Sequence, residues 1–115
     1  KIFYFSYIPI NIDKFKNRKI ICFAGIGNPS NFFNLLKINK INVLEEKIFP
    51  DHYFYSKFDL DHLSKKANEN NAELLTTKKD YLRINKEMRK NINFLEIKVE
   101  IQNRNEFVEL IKKTI

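Results

Sequence analysis

The sequence predicts an α/β layer fold with a mainly parallel sheet and flanking helices. Three observations predict it. Ile20-Ile21-Cys22-Phe23-Ala24 is an uninterrupted apolar run, of the short type that marks strands buried on both faces, and Ala72 to Thr76 reads as a strand of the same kind. Segments with helical apolar spacing lie between the runs. Strand and helix alternate through most of the chain, the order that crossover connections produce.

Ile2 to Ile8 is rich in aromatic and β-branched residues and reads as a first strand, ended by Pro9. Asn11 to Asn17 reads as a polar connection to the Ile20–Ala24 strand. Gly25-Ile26-Gly27 follows, then Asn28 as a helix N-cap and Pro29 at the first helical position. Phe32, Phe33, Leu35 and Leu36 give that helix its apolar side. Ile41 to Ile48 is the next strand and runs into Phe49-Pro50-Asp51-His52-Tyr53. Ser56 and Asp59 have capping-box spacing and open a second helix through about Asn70, lined by Leu60, Leu63 and Ala67. Ala72 to Thr76 is a third strand of the buried kind. Thr77-Lys78-Lys79-Asp80 leaves it for a short helix over Tyr81 to Ile84. Leu95, Ile97, Val99 and Ile101 alternate with Glu96, Lys98 and Glu100 as a half-exposed strand does. Asn103 and Glu106 cap a last helix that buries Phe107, Leu110 and Ile111. The whole is a Rossmann-like three-layer domain spanning 1–115, with no internal repeat and no dividing linker.

A chain of 115 residues, 43% of them hydrophobic, suits one domain with a real core. No apolar run is long enough to span a bilayer. No signal peptide is visible, and the chain opens on Lys1 rather than methionine, so the expectation is a piece of a longer protein. The single cysteine, Cys22, sits in a strand pattern with no ligand cluster around it, which predicts a buried thiol in a reducing compartment. The net charge of +7 invites a nucleic-acid partner. Against that, the basic residues are mostly lysine, scattered, and interleaved with acids. An anionic membrane surface needs only such scattered charge and fits equally well.

Ligands of open parallel sheets bind outside the carboxyl ends of the strands. Three unusual stretches follow three predicted strands: Gly25 to Pro29, Phe49 to Tyr53, and Thr76 to Asp80. In a parallel sheet all three emerge on one rim. Pro50 stiffens the second stretch, and His52 beside Asp51 can exchange a proton near neutral pH. The ordinary alternative is a loop histidine that caps carbonyls. Gly25-Ile26-Gly27 resembles the start of a dinucleotide fingerprint, but Ser30 stands at the third glycine position and Pro29 removes an amide. A tight turn that needs positive φ explains those glycines better. Thr76 and Thr77 offer hydroxyls and Lys79 a cation for a phosphate; the alternative is a Lys79–Asp80 pair on a solvated turn. His62 reads as merely exposed. No metal-ligand cluster and no GxxxxGK[ST] phosphate cradle is present in the sequence.

Taken together, Phe23-Ala24-Gly25-Ile26-Gly27-Asn28-Pro29, Phe32-Phe33, Phe49-Pro50-Asp51-His52-Tyr53 and Thr76-Thr77-Lys78-Lys79-Asp80, with Arg83 just after, resemble the carboxy-terminal half of the tetraacyldisaccharide 4′-kinases, the lipid A 4′-kinases. Order and spacing both fit, from about Phe3 to the end. Lys78 departs from the family, which has glutamate there.

The resemblance implies transfer of the ATP γ-phosphate to the 4′-hydroxyl of a tetraacyldisaccharide 1-phosphate, at the cytoplasmic face of the bacterial inner membrane. It implies that ATP and Mg2+ are bound by an amino-terminal P-loop half that this chain lacks, and that this chain alone binds neither and is inactive. His52 and Asp51 become the candidate catalytic residues. His52 reaches an aspartate base of the other half and orients it; Asp51 holds the His52 ring or, slightly favoured, caps the following helix. Thr77, Lys79, Asp80, Gly25, Gly27 and Asn28 become candidate substrate- or phosphate-proximal residues. The implied partners are the P-loop half, the acylated disaccharide phosphate and an anionic membrane surface, with no nucleic acid. An exposed face is expected where the other half docks. Two alternatives stand beside this reading: a stand-alone α/β interaction or nucleotide-binding module, and an inactive remnant of a split gene.

Overall fold

The computed structural model describes residues 5–101. The expected final helix and its residues Asn103, Glu106, Phe107, Leu110 and Ile111 lie outside that range. Two sheets are present among the described residues. The larger is built from β2 (Lys19–Ala24), β3 (Asn42–Ile48), β4 (Ala72–Thr77) and β5 (Ile92–Leu95), all parallel, in the order β3-β2-β4-β5. The smaller pairs β1 (Phe5–Pro9) with β6 (Ile97–Ile101), antiparallel. Pro9 is therefore part of its strand, opposite Ile97.

The apolar run in β2 explains the layers. Alternate residues of a strand face opposite sides. Ile20, Cys22 and Ala24 pack with Phe32, Phe33 and Leu36 of α1 (Pro29–Ile38). Ile21 and Phe23 pack with Leu60, Leu63 and Ala67 of α2 (Lys57–Glu69). One strand thus serves two cores, and neither face tolerates a polar residue. Burial of the Cys22 side chain also pushes its thiol up to about 12, with the Glu46 carboxylate adding to the effect, so the thiol stays protonated.

Residues 11–17 are not simply polar. Ile12–Phe15 forms a 3₁₀ turn that buries Ile12 and Phe15 in the α1-side core. The polar residues around them masked two apolar anchors three apart, which is the spacing of one such turn. The helix after β4 begins three residues earlier than expected. This α3 (Lys78–Arg83) starts directly from Thr77, whose hydroxyl accepts from the Asp80 N–H. Strand β5 lacks a continuous apolar pattern because Asn93 interrupts it; that side chain donates to the Leu74 carbonyl.

The edge strand β3 is protected by charge. Glu45 pairs with Lys66 at 2.6 Å and Glu46 with Lys37 at 2.7 Å. A register shift opposite Ile20/Ile21 distorts the ladder, another way of blunting an edge.

Each parallel strand is entered through a residue with positive φ: Asn17, Lys40, Asn71 and Asn91. Three are asparagine, the non-glycine residue that tolerates this region best. Lys40, at φ 59°, lacks that tolerance. Lys40→Gly is expected to stabilise the fold by about 0.5–1 kcal/mol, the relief of left-handed strain exceeding the added freedom of the unfolded chain. A higher urea midpoint at unchanged slope is the expected reading; an unchanged midpoint contradicts it.

Candidate functional site

Strand order reverses between β2 and β4: α1 carries the chain from β2 to β3 on one side, and α2 returns it to β4 on the other. That reversal opens the crevice in which such sheets place ligands. The three stretches singled out in the sequence all meet there.

Gly25 is their meeting point. Its N–H donates to Asp80 Oδ1 at 3.0 Å. Its carbonyl accepts from the His52 N–H at 3.1 Å and from Arg83 Nη2 at 2.8 Å. No glycine among the described residues has positive φ, so the expected reason for glycine here is corrected. The reason is space. A Cβ on Gly25 would lie 2.9 Å from the Pro50 carbonyl oxygen and 3.1 Å from the Tyr55 hydroxyl. Gly27 is exposed, and a Cβ there would meet only Asp51, at 3.5 Å. Asn28 occupies the N-cap position of α1 but makes no side-chain cap bond.

Pro50 to Tyr53 forms a β-turn, with the Tyr53 N–H donating to the Pro50 carbonyl at 3.1 Å. His52 sits in it at φ 59°. Histidine tolerates this region better than most side chains. The imidazole stands out of the rim, 78% exposed, with Nε2 3.7 Å from Asp51 Oδ2. At that separation and exposure the pair has little energetic weight. Asp51 is not a helix cap. That position belongs to Ser56, which forms the expected capping box with Asp59. Two tyrosines fasten the turn from below. Tyr53 donates to Asp59 Oδ2 at 2.8 Å and Tyr55 to Asp80 Oδ1 at 2.9 Å. The hydrogen bond to Asp59 raises the Tyr53 phenol above its ordinary range; burial, then the Asp80 charge, raises that of Tyr55 much further. Phe23, Phe49, Tyr53 and Tyr55 stack edge and face around one another, with ring centroids 4.8–6.2 Å apart.

Asp80 is fully buried. Beyond Gly25 and Tyr55, its carboxylate accepts from the Thr77 hydroxyl at 2.6 Å and pairs with Arg83 Nη2 at 3.1 Å. The alternative of a Lys79–Asp80 pair on a solvated turn is therefore not what forms: Arg83, one helical turn on, is the partner. Lys79 is exposed on α3, and Lys78 reaches Glu96 at 3.3 Å. Thr77 and Thr76 both turn their hydroxyls inward, Thr76 donating to the Phe23 carbonyl at 2.7 Å. In the sequence Arg83 stands only as a neighbour of the motif. Its spacing from Asp80 on a helix was the available signal. Its Nη1 is buried and has no partner among the described residues.

Two features of this crevice depart from a dinucleotide fingerprint. The Gly25 amide that would face a phosphate is taken by a buried carboxylate, and residue 29 is proline. No group of three His, Cys, Asp or Glu side chains among the described residues could hold a metal ion.

Residues 9–115 match the family model of tetraacyldisaccharide-1-P 4′-kinase. The chain belongs to that family. A tetraacyldisaccharide 4′-kinase of Pelagibacter ubique is 38% identical over 94% of this chain and 36% of its own length. That of Rickettsia canadensis is 45% identical over 92% of this chain and 32% of its own. Among solved structures, the family's Aquifex aeolicus protein LpxK, crystallised in complex with ATP, superposes with a TM-score of 0.64 at 27% identity, covering 96% of this chain and 35% of that one. The chain spans about a third of the length of the curated family members it matches.

Proposed function

We propose that this chain is the carboxy-terminal portion of a tetraacyldisaccharide 4′-kinase, which moves the γ-phosphate of ATP to the 4′-hydroxyl of tetraacyldisaccharide 1-phosphate. The observation that carries the reading is the family match over nearly the whole chain, together with an exposed imidazole held on a braced rim. An enzyme of phosphoryl transfer needs its groups positioned more than it needs covalent chemistry from the protein. In this reading the amino-terminal P-loop half supplies the ATP and Mg2+ sites and an aspartate base. His52 crosses the gap between halves and orients that base toward the 4′-hydroxyl. The rim carrying Gly27, Asn28 and Lys79 faces the gap, where the exposed polar groups of Asn28 and Lys79 are available to an anionic substrate.

The substrate is a lipid, so the enzyme works at a membrane surface, in this reading the cytoplasmic face of the inner membrane. No described helix is long and apolar enough to cross a bilayer, and the net charge of +7 favours contact with anionic headgroups. The test is reconstitution. This chain mixed with the P-loop half, or joined to it, is expected to phosphorylate tetraacyldisaccharide 1-phosphate from labelled ATP, and neither part alone does so. A joined protein that folds and binds ATP but leaves the lipid unmodified would sink the proposal.

A further inference from the structure

We infer that Arg83, with Asp80, is a positioning residue of the kinase: it sets the placement of His52 through the backbone of Gly25. The inference rests on the role proposed above for His52. The contacts run in one continuous chain. Arg83 Nη2 lies 3.1 Å from Asp80 Oδ1 and 2.8 Å from the Gly25 carbonyl. That same carbonyl accepts the His52 N–H at 3.1 Å. Asp80 Oδ1 holds the Gly25 N–H at 3.0 Å and the hydroxyl of Tyr55, three residues beyond His52, at 2.9 Å. The turn bearing His52 is therefore gripped at its own amide and again at Tyr55, by one ion pair. Gly25 allows this because the Pro50 carbonyl approaches too closely for a Cβ.

The network has features that a stabilising ion pair does not need. An apolar pair of similar volume fills a buried site as well as an ion pair and avoids its desolvation. Here Arg83 also leaves Nη1 buried with no partner among the described residues, a cost that is unusual in a folded protein. What the pair provides instead is geometry. A guanidinium reaching two acceptors in fixed directions locates a carbonyl more narrowly than packing does. The carbonyl it locates carries His52. Placement errors near 1 Å are enough to reduce turnover about 100-fold in positioned chemistry.

The test is a double-mutant cycle in the complete kinase, using Arg83→Met and His52→Asn. Asparagine keeps the left-handed turn comfortable while removing the imidazole. Arg83→Met alone is expected to lower kcat by at least about tenfold with KM for ATP unchanged. In the His52→Asn background the same change is expected to add no more than about twofold, because its effect passes through His52. A purely structural role gives losses that multiply, and multiplied losses overturn the inference. Tyr55→Phe and Gly25→Ala guard against a variant that fails to fold: one loosens the turn without touching a charge, the other pushes it outward. Both are expected to behave as Arg83→Met does, and full kcat in both overturns the inference. Hydrogen exchange of the segment 49–55 gives a readout independent of turnover. Faster exchange in Arg83→Met supports the grip on the turn; unchanged exchange overturns it. Full turnover in His52→Asn alone would remove the role of His52 itself, and that single variant separates the two failures.

Discussion

His52→Ala in the complete kinase lowers kcat by at least about tenfold and leaves KM for ATP close to its original value. Three features of the structure support this expectation. The imidazole is 78% exposed, so its loss removes few packing contacts. It stands on a turn braced by Gly25, Tyr53 and Tyr55, so it has a defined direction. Its neighbour Asp51 lies 3.7 Å away and is itself half exposed, too weak a contact to justify the residue as a structural ion pair. The backbone adds a control. At φ 59°, alanine carries left-handed strain of about 1 kcal/mol or slightly more, and asparagine much less. His52→Asn is therefore expected to lose the same turnover as His52→Ala while melting nearer the original temperature. Steady-state kinetics and thermal unfolding on both variants separate the two effects. Equal turnover in His52→Asn and the unaltered enzyme would show that the ring does no acid–base work.

Asp80→Ala is expected to be the most damaging single change to the fold, costing about 3–5 kcal/mol. The carboxylate is fully buried and has four partners. Its removal leaves the Arg83 guanidinium, most of it inside the protein, with no counter-charge, and strands the Tyr55 hydroxyl and the Gly25 N–H as well. Such orphaned groups retain their full desolvation cost. Asp80→Asn is the informative comparison. It keeps the volume and one acceptor, but it meets the guanidinium with a dipole. Urea denaturation of both variants should rank them with Ala below Asn and both below the original protein. A midpoint for Asp80→Ala within experimental scatter of the original would show that the network stabilises nothing.

The family resemblance and the layer architecture were legible from the chain because both rest on local signals. Ile20 to Ala24 is apolar without interruption, and only a strand with two covered faces needs that. Ser56 and Asp59 fix the start of α2 by hydrogen bonds that span three residues. The order of strands and helices then brings the Gly25, His52 and Thr77 stretches to one rim whatever their side chains do.

What the local signals do not contain is how those stretches touch. Gly25 looked like a residue chosen for its φ, and its real constraint is the carbonyl of Pro50, 25 positions away. Asp80 reads in the sequence as a phosphate-proximal residue or as half of a surface pair with Lys79. The helix starting at Thr77 turns it inward instead, and places Arg83 on the same face. Sequence by itself determined the strands and helices from β2 to β4, the layers and the family, since propensity, capping and apolar period act within a few residues. Only the tertiary structure decided which polar groups are buried together and which of them grip the His52 turn, since burial and hydrogen-bond partners across 25 to 58 positions depend on how the finished layers pack.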